Sequence, residues 1–410
     1  MKRNILVLKL LSFTIMGAMG AFMNYINLYL EQVLRFTGSQ IGLIMMISMS
    51  LVIVVNPILG YIGDKTGKHV WMLKGAFLAS SVIIVLYSQA TTFTMVLLIA
   101  IMFEAARASI GPFLDLITSE YCAKVGYDFG RVRVFASAGF LLVTMLVGFA
   151  IAGFQMPWFD GQIIGFYGFI SIRVAIFATV AVMLFISFLL MFFAPKPEDA
   201  KGKENKGQFN RSDIVALLKN KNFQFIIVFI NLSMVALESA KSFVGNHLVV
   251  GLGSAENIVS IMTFVMVVPE FVLLPLGTKI IKKFGFKNWY LFAMTTMVIR
   301  MIIYSFTGNI TIFALASIVH GFGVTTHVVG NITFIRRVVE PKVLGLAFTI
   351  MASTVMFGRA IMSFVYGLLY EYFDGFAVFR MATVLLVCGL IWVARSKSLK
   401  VIGDEITHES

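Results

Sequence analysis

The sequence predicts an all-α integral membrane protein with twelve transmembrane helices in two pseudo-symmetric six-helix bundles, and three observations carry that expectation. Hydrophobic residues make up 59% of the 410 and charged residues only 13%, against about a quarter charged in a soluble domain, and the mean hydropathy is +0.92. Apolar runs of spanning length recur twelve times along the chain. A hydrophilic stretch divides them six and six, and one connection in each half repeats the other.

Taken in order, the runs fall at about 6–30, 41–62, 70–88, 95–119, 132–153 and 167–194, then at about 222–250, 258–280, 288–306, 311–335, 343–369 and 377–395. Each is near or above the roughly 20 residues a helix needs to cross the hydrocarbon. The basic start, Met1 to Arg3, precedes an apolar stretch too long for a signal-peptide core, so it opens the first span. Between the halves, Pro195 to Lys221 holds PKPEDAKGKENKGQFNRSD, too polar to bury a core. The expected organisation is therefore an N-terminal bundle over 1–194, a cytoplasmic linker over 195–221, a C-terminal bundle over 222–396 and a short polar tail over 397–410.

The net charge of +13 does not gather into one patch, as a nucleic-acid partner would require. It recurs in short loops: Lys65, Lys68, Lys124, the linker lysines, Lys282, Lys283, Lys287, Arg336, Arg337, Lys342 and Arg395 fall on one side. The opposite connections carry Glu31, Asp160, Glu256, Glu371 and Asp374, with Arg35 their only base. By the positive-inside rule both termini and the linker are cytoplasmic, in a multi-pass protein of the cell membrane. Trp158, Tyr167, Tyr370 and Tyr372 suit an interfacial belt at the outer boundary. At one constant shift Pro57 aligns with Pro275, Lys65 with Lys283 and Gly67 with Gly285. Two repeated halves around a polar linker are the sequence form of a transporter that rocks about a midplane site.

Charges inside the spans mark where that site should lie. In the stretch Pro112 to Phe140, Asp115 sits within one apolar run and Arg131 and Arg133 open the next, with a tight polar connection between them. A charge in hydrocarbon costs at least a few kcal/mol, so an intramembrane acid and base are paired or bind a substrate; an ion pair that only staples two helices is the plainer alternative. The second half adds Glu238 and Lys241 on one helix face, Glu270 after Pro269, Arg300, His320 and Arg359. Glu238 with Lys241 or Arg359 serves equally as a structural pair, and His320 or His327 alone as a packing residue. In the connection Gly60-x-x-x-Asp64-Lys65-x-Gly67-Lys68, the glycines permit a tight turn, while Asp64 and the adjacent lysines can form a charge network that shuts the inward side.

That connection resembles the signature between the second and third helices of the major facilitator superfamily, which implies the major facilitator fold. Pro112-Phe-Leu-Asp115, Tyr127-Asp-Phe-Gly130-Arg131-Val-Arg133 and Gly139-Phe140 are similar to the lactose-permease-like branch, the oligosaccharide:proton symporters and their phenylpropionate-permease relatives. The resemblance implies that Asp115 and Arg133 hold substrate hydroxyls and that Phe140 takes the stacking place, where the sugar permeases have tryptophan. It also places Glu270, Arg300 and His320 at the family's positions for binding and proton coupling. One departure stands out. The family has a proton-carrying glutamate three residues after the histidine, and this chain has Gly323 there, so either another acid, Glu270 or Asp115 first, carries the proton or the coupling differs.

Other chemistries find no support. The chain has no GxxxxGK[ST] loop, HExxH, Gly-x-Ser-x-Gly elbow or paired-cysteine spacing, so it is not expected to be an enzyme, and no cofactor or metal is expected beyond the proton as coupling ion. Helix V lacks the Gly-Pro kink that resembles the mark of drug:proton antiporters. The expectation is proton-coupled uptake of a small polar solute, a sugar or oligosaccharide first, by alternating access. An aromatic or other organic acid is the alternative, since Arg133 and Arg300 suit a carboxylate; a drug exporter or a non-transporting sensor ranks lower. The partners expected are that solute and the lipid bilayer, with the chain working as a monomer.

Overall fold

A computed structural model describes residues 2–153, 168–195 and 211–396. Trp158, Asp160, Tyr167, most of the linker and the tail over 397–410 lie outside the described residues. Within them are twelve helices long and apolar enough to cross a membrane, and we number them α1 to α12. The first six are α1 (Lys2–Gln32), α2 (Gly38–Thr66), α3 (His69–Gln89), α4 (Phe93–Val125), α5 (Phe129–Ala152) and α6 (Ile172–Leu190). The others are α7 (Lys221–Lys241), α8 (Ile258–Phe284), α9 (Phe286–Phe306), α10 (Ile310–Val338), α11 (Leu344–Tyr372) and α12 (Gly375–Arg395). Each expected run overlaps one of these helices, although the run at 222–250 continues past the end of α7 at Lys241.

Short polar residues start the helices by satisfying N–H groups that have no partner in the first turn. Thr37 opens α2 with a reciprocal box: its hydroxyl accepts from the Gln40 N–H at 3.4 Å, and the Gln40 side chain accepts from the Thr37 N–H at 3.0 Å. Asp128 caps α5 by accepting from the Gly130 N–H at 2.8 Å, and Asp374 caps α12 through the Ala377 N–H at 2.7 Å. The tight connection expected after α4 is Gly126-Tyr127-Asp128, with Gly126 at φ +66° and the Tyr127 N–H bonded to the Cys122 carbonyl at 2.9 Å. Hence Arg133 enters only one turn above the capped start of α5.

The chain divides into two units, Met1–Glu204 with Leu248–Ile261, and Asn205–His247 with Met262–Ser410. In the first, α1 packs on α5 and α6, and α3 packs on α4 and α6. In the second, α7 packs on α11 and α12, and α9 packs on α10 and α12. Adding six to each label of the first set gives these same pairs. The repeat extends to single residues: Gly67 after α2 has φ +65° and its N–H bonds the Gly63 carbonyl, while Gly285 after α8 has φ +77° and bonds the Ile281 carbonyl. Both turns need a residue free to take positive φ, so the aligned glycines are a shared backbone requirement.

Small residues let α1 and α5 approach closely. A Cβ on Gly139 would stand 2.2 Å from the Phe13 carbonyl oxygen, and one on Gly20 would stand 2.5 Å from the Phe140 carbonyl oxygen. The obstructing atoms are backbone, which no rotamer change can move. Gly139→Val is therefore expected to destabilise by about 1–3 kcal/mol or more and to lower the detergent melting temperature by several degrees. Gly75→Ala, whose Cβ meets nothing within 4 Å, is the comparison. Equal melting of the two variants would refute close α1–α5 packing.

Three spans are interrupted. The helix of α4 stops at Arg107 and restarts at Ile110. Pro112 explains the break, because it removes the N–H that would bond the Ala108 carbonyl and its ring crowds that oxygen. α7 widens to π-helical turns over Asn231–Val235. α10 breaks between Ser317 and His320 and widens over Thr326–Gly330. Such irregular turns recur at functional positions, and interrupted spans characterise binding helices in transporters.

Candidate functional site

In the first unit the structure joins Asp115 and Arg133. Arg133 Nη1 donates to Asp115 Oδ1 at 2.8 Å and to Oδ2 at 3.1 Å. The side chains are 46% and 53% exposed, so the pair is not a sealed staple in the bundle core. Phe140, half-buried, lies near the middle of α5, two helical turns beyond Arg133. It is fixed by the close crossing with α1 and by a chain of bonds from the next turn: Asn24 Nδ2 donates to Thr144 Oγ1 at 3.1 Å, and Thr144 Oγ1 donates to the Phe140 carbonyl at 2.7 Å. Arg131 is exposed.

In the second unit Arg300, His320 and Glu270 form a line. Arg300 is 2% exposed and its Nη1 lies 2.8 Å from His320 Nδ1. A guanidinium has only donors, so Nδ1 accepts, and the ring proton sits on Nε2. That nitrogen faces Glu270 Oε1 at 3.7 Å. The Tyr304 ring lies 4.9 Å from the Arg300 guanidinium, and Met266 Sδ lies 3.7 Å from Nη2. Arg300 Nε is enclosed without a hydrogen-bond partner among the described residues. Lys241 and Glu238 both act electrostatically on Glu270, and Lys241, Arg359, His327 and Arg300 act on Glu238. All the second-half charges singled out in the sequence therefore belong to one electrostatic cluster. Glu270 and Arg359 lie at the middle of α8 and α11.

Gly323 closes the position where the resemblance puts a glutamate. A Cβ there would stand 2.9 Å from Met297 Sδ, and Met297 is 1% exposed. Any side chain at this position would therefore require the Met297 side chain to shift.

The α2–α3 connection is a tight turn, but its residues do different work. Gly67 makes the turn; Gly60 has open space around it; Lys68 is exposed; and Lys65 Nζ lies 5.8 Å from the Tyr61 ring centre. The side chain of Asp64 lies outside the described residues. Gly63, which sequence reading passed over, is the tightly packed member: its Cβ would stand 2.8 Å from the buried His69 ring, which meets Phe113 of α4 edge-on at 5.1 Å.

Sequence reading also missed Glu104 and Arg107. Glu104 is buried, and Arg107 Nη2 donates to its Oε1 at 2.7 Å with Oε2 at 2.5 Å. The signal was available: two charges three residues apart in the apolar run from Met95, read only as background to Asp115.

The MFS_1 like family model matches residues 5–381. The chain belongs to the MFS_1 like family. It is thus a multi-pass membrane transporter of that family, with the major facilitator fold that the resemblance of its α2–α3 connection implied. Among curated relatives, it is 23% identical to the uncharacterized transporter YwbF of Bacillus subtilis (strain 168), over 90% of this chain and 88% of that one. It is 22% identical to a maltose permease of Geobacillus stearothermophilus, over 97% and 96% of the two chains. Among solved structures, the nucleoside transporter NupG aligns with TM-score 0.79 and 18% identity over 96% of this chain and 100% of that one. A bacterial homolog of the human lysosomal transporter Spinster, inward-facing and unoccupied, aligns with TM-score 0.68 and 12% identity over 99% and 97%. These likenesses carry the fold.

Proposed function

We propose that this MFS_1 like protein is a proton-coupled symporter of the cell membrane, with both termini cytoplasmic, that brings a small polar solute inward by alternating access. The single observation that carries the coupling is the line in the second unit from buried Arg300 and His320 to half-buried Glu270. Ionisable groups enclosed in a span are expensive and mark substrate or proton pathways. Asp115, Arg133 and Phe140 hold the solute. Glu270 takes the proton, because His320 keeps its Nδ1 lone pair in the Arg300 bond and the glutamate position after it is glycine. Glu238, Lys241 and Arg359 balance the charge as that proton comes and goes.

A sugar or oligosaccharide is the solute favoured, on the full-length similarity to a maltose permease and on the Asp115–Arg133 pair, which offers acceptors and donors together. The test is uptake into proteoliposomes of labelled maltose, glucose, uridine and 3-phenylpropionate under an imposed inward proton gradient. Accumulation of a sugar that an uncoupler abolishes is the expected result. Accumulation of 3-phenylpropionate instead would replace the sugar with an organic acid, and uptake indifferent to the gradient would overturn symport.

A further inference from the structure

Glu104 and Arg107 form a second charged pair in the first unit, separate from Asp115 and Arg133. They stand three residues apart on one face of α4, in the last turn before the break that Pro112 imposes. Arg107 lies within one turn of the middle of α4, at the depth where transporters of this architecture hold solute. Asp115 lies two turns farther toward the Val125 end.

The guanidinium is incompletely used. Both contacts from Glu104 go to Nη2. Among the described residues, Nη1 meets only the thioether of Met19, at 3.4 Å. Nε is enclosed and has no hydrogen-bond partner among the described residues. A pair built only to neutralise itself would use the two-pronged geometry that arginine and carboxylate favour; this one spends a single nitrogen. The Phe103 ring centre lies 5.8 Å from the guanidinium carbon, and the Arg107 side chain keeps 24% exposure.

From this geometry we infer that Glu104 and Arg107 form a solute-binding element that takes a hydroxyl-bearing, uncharged portion of the transported molecule. Arg107 donates to a hydroxyl or ring oxygen, and the remaining lone pairs of Glu104 accept from a neighbouring hydroxyl. The pair is neutral in sum, so a carboxylate arriving there would bring an uncompensated anion beside Glu104. The inference rests on the transport reading above and adds a specificity determinant to it.

The test uses the purified full chain in detergent, with maltose, glucose, uridine and 3-phenylpropionate as probes and thermal unfolding as the readout. At least one hydroxylated probe is expected to stabilise the wild type. Its apparent affinity should fall on the order of tenfold or more in Arg107→Lys and in the double variant Glu104→Gln/Arg107→Met. The double variant separates the roles, since removing both members of a buried pair leaves no stranded charge. A merely structural pair would let it keep wild-type affinity, and that result overturns the proposal. So does stabilisation by 3-phenylpropionate alone, or by none of the four. On the wild type, the stabilising probe should slow phenylglyoxal labelling of Arg107 several-fold, read by mass spectrometry; labelling at an unchanged rate also overturns the proposal, even if the variants fail to fold. Proteoliposome uptake of the wild type reports separately on whether the protein is a symporter.

Discussion

Arg133→Ala is expected to reduce proton-driven uptake by roughly tenfold to a hundredfold while leaving the melting temperature unchanged. The two halves of this expectation come from the same pair. Asp115 and Arg133 are each about half exposed, and exposed ion pairs contribute only about 0–1 kcal/mol to stability. In an occluded site from which water has been expelled, however, a hydrogen bond between an ionised group and a solute is worth about 1.5–3 kcal/mol. Arg133→Lys keeps the charge but loses the planar fork, so it should recover part of the uptake. Initial rates in proteoliposomes and melting in detergent decide the matter together. Wild-type uptake by Arg133→Ala would remove the pair from the solute site. A large fall in melting temperature with unaltered uptake per folded molecule would make it the staple that sequence reading kept as the plainer alternative.

How far the sequence could be read depended on which physical constraint was at work. Spans were readable because the bilayer demands about 20 apolar residues from each helix independently of its neighbours. The repeat was readable where it rests on backbone geometry, as at Gly67 and Gly285, since only a residue tolerant of positive φ fits either turn. Asp115 and Arg133 could be paired because each is conspicuous in its run and a short loop joins the runs. Glu104 and Arg107 stood in the same run, but an i,i+3 pair within one helix looks self-satisfied on paper. That Nε is left over is a property of side-chain packing against Met19 and Phe103. The breaks in α4, α7 and α10 divide the same way. Pro112 could have signalled the first, which the sequence reading kept as one run over 95–119, whereas the wide turns over Asn231–Val235 and Thr326–Gly330 lack any proline or glycine pair to announce them. Gly323 shows the limit most plainly. In sequence it was a missing acid; in the structure it is a close contact with Met297.

Glu270→Gln is expected to abolish accumulation against a gradient while preserving solute exchange. Arg300 fixes the hydrogen-bond direction along the line, so that His320 Nε2–H faces Glu270 and His320 has no free lone pair for an incoming proton. In the proposed symport, proton gain and loss then fall to the carboxylate. Glutamine has nearly the same shape and holds the neutral form permanently, so the carrier can still reorient with solute bound. One pH unit corresponds to about 1.4 kcal/mol, or about tenfold in concentration. With one proton per solute, a two-unit gradient can thus support about hundredfold accumulation in the wild type, and Glu270→Gln should level at equal concentrations inside and out. Counterflow of labelled solute, which needs no net proton movement, should remain within a few-fold of wild type. Asp115→Asn is the necessary comparison, since Asp115 is the other acid that the sequence left as a proton carrier: it should weaken binding but keep gradient dependence. If Glu270→Gln still accumulates solute and Asp115→Asn does not, the proton belongs to the Asp115–Arg133 pair, and the line in the second unit is structural.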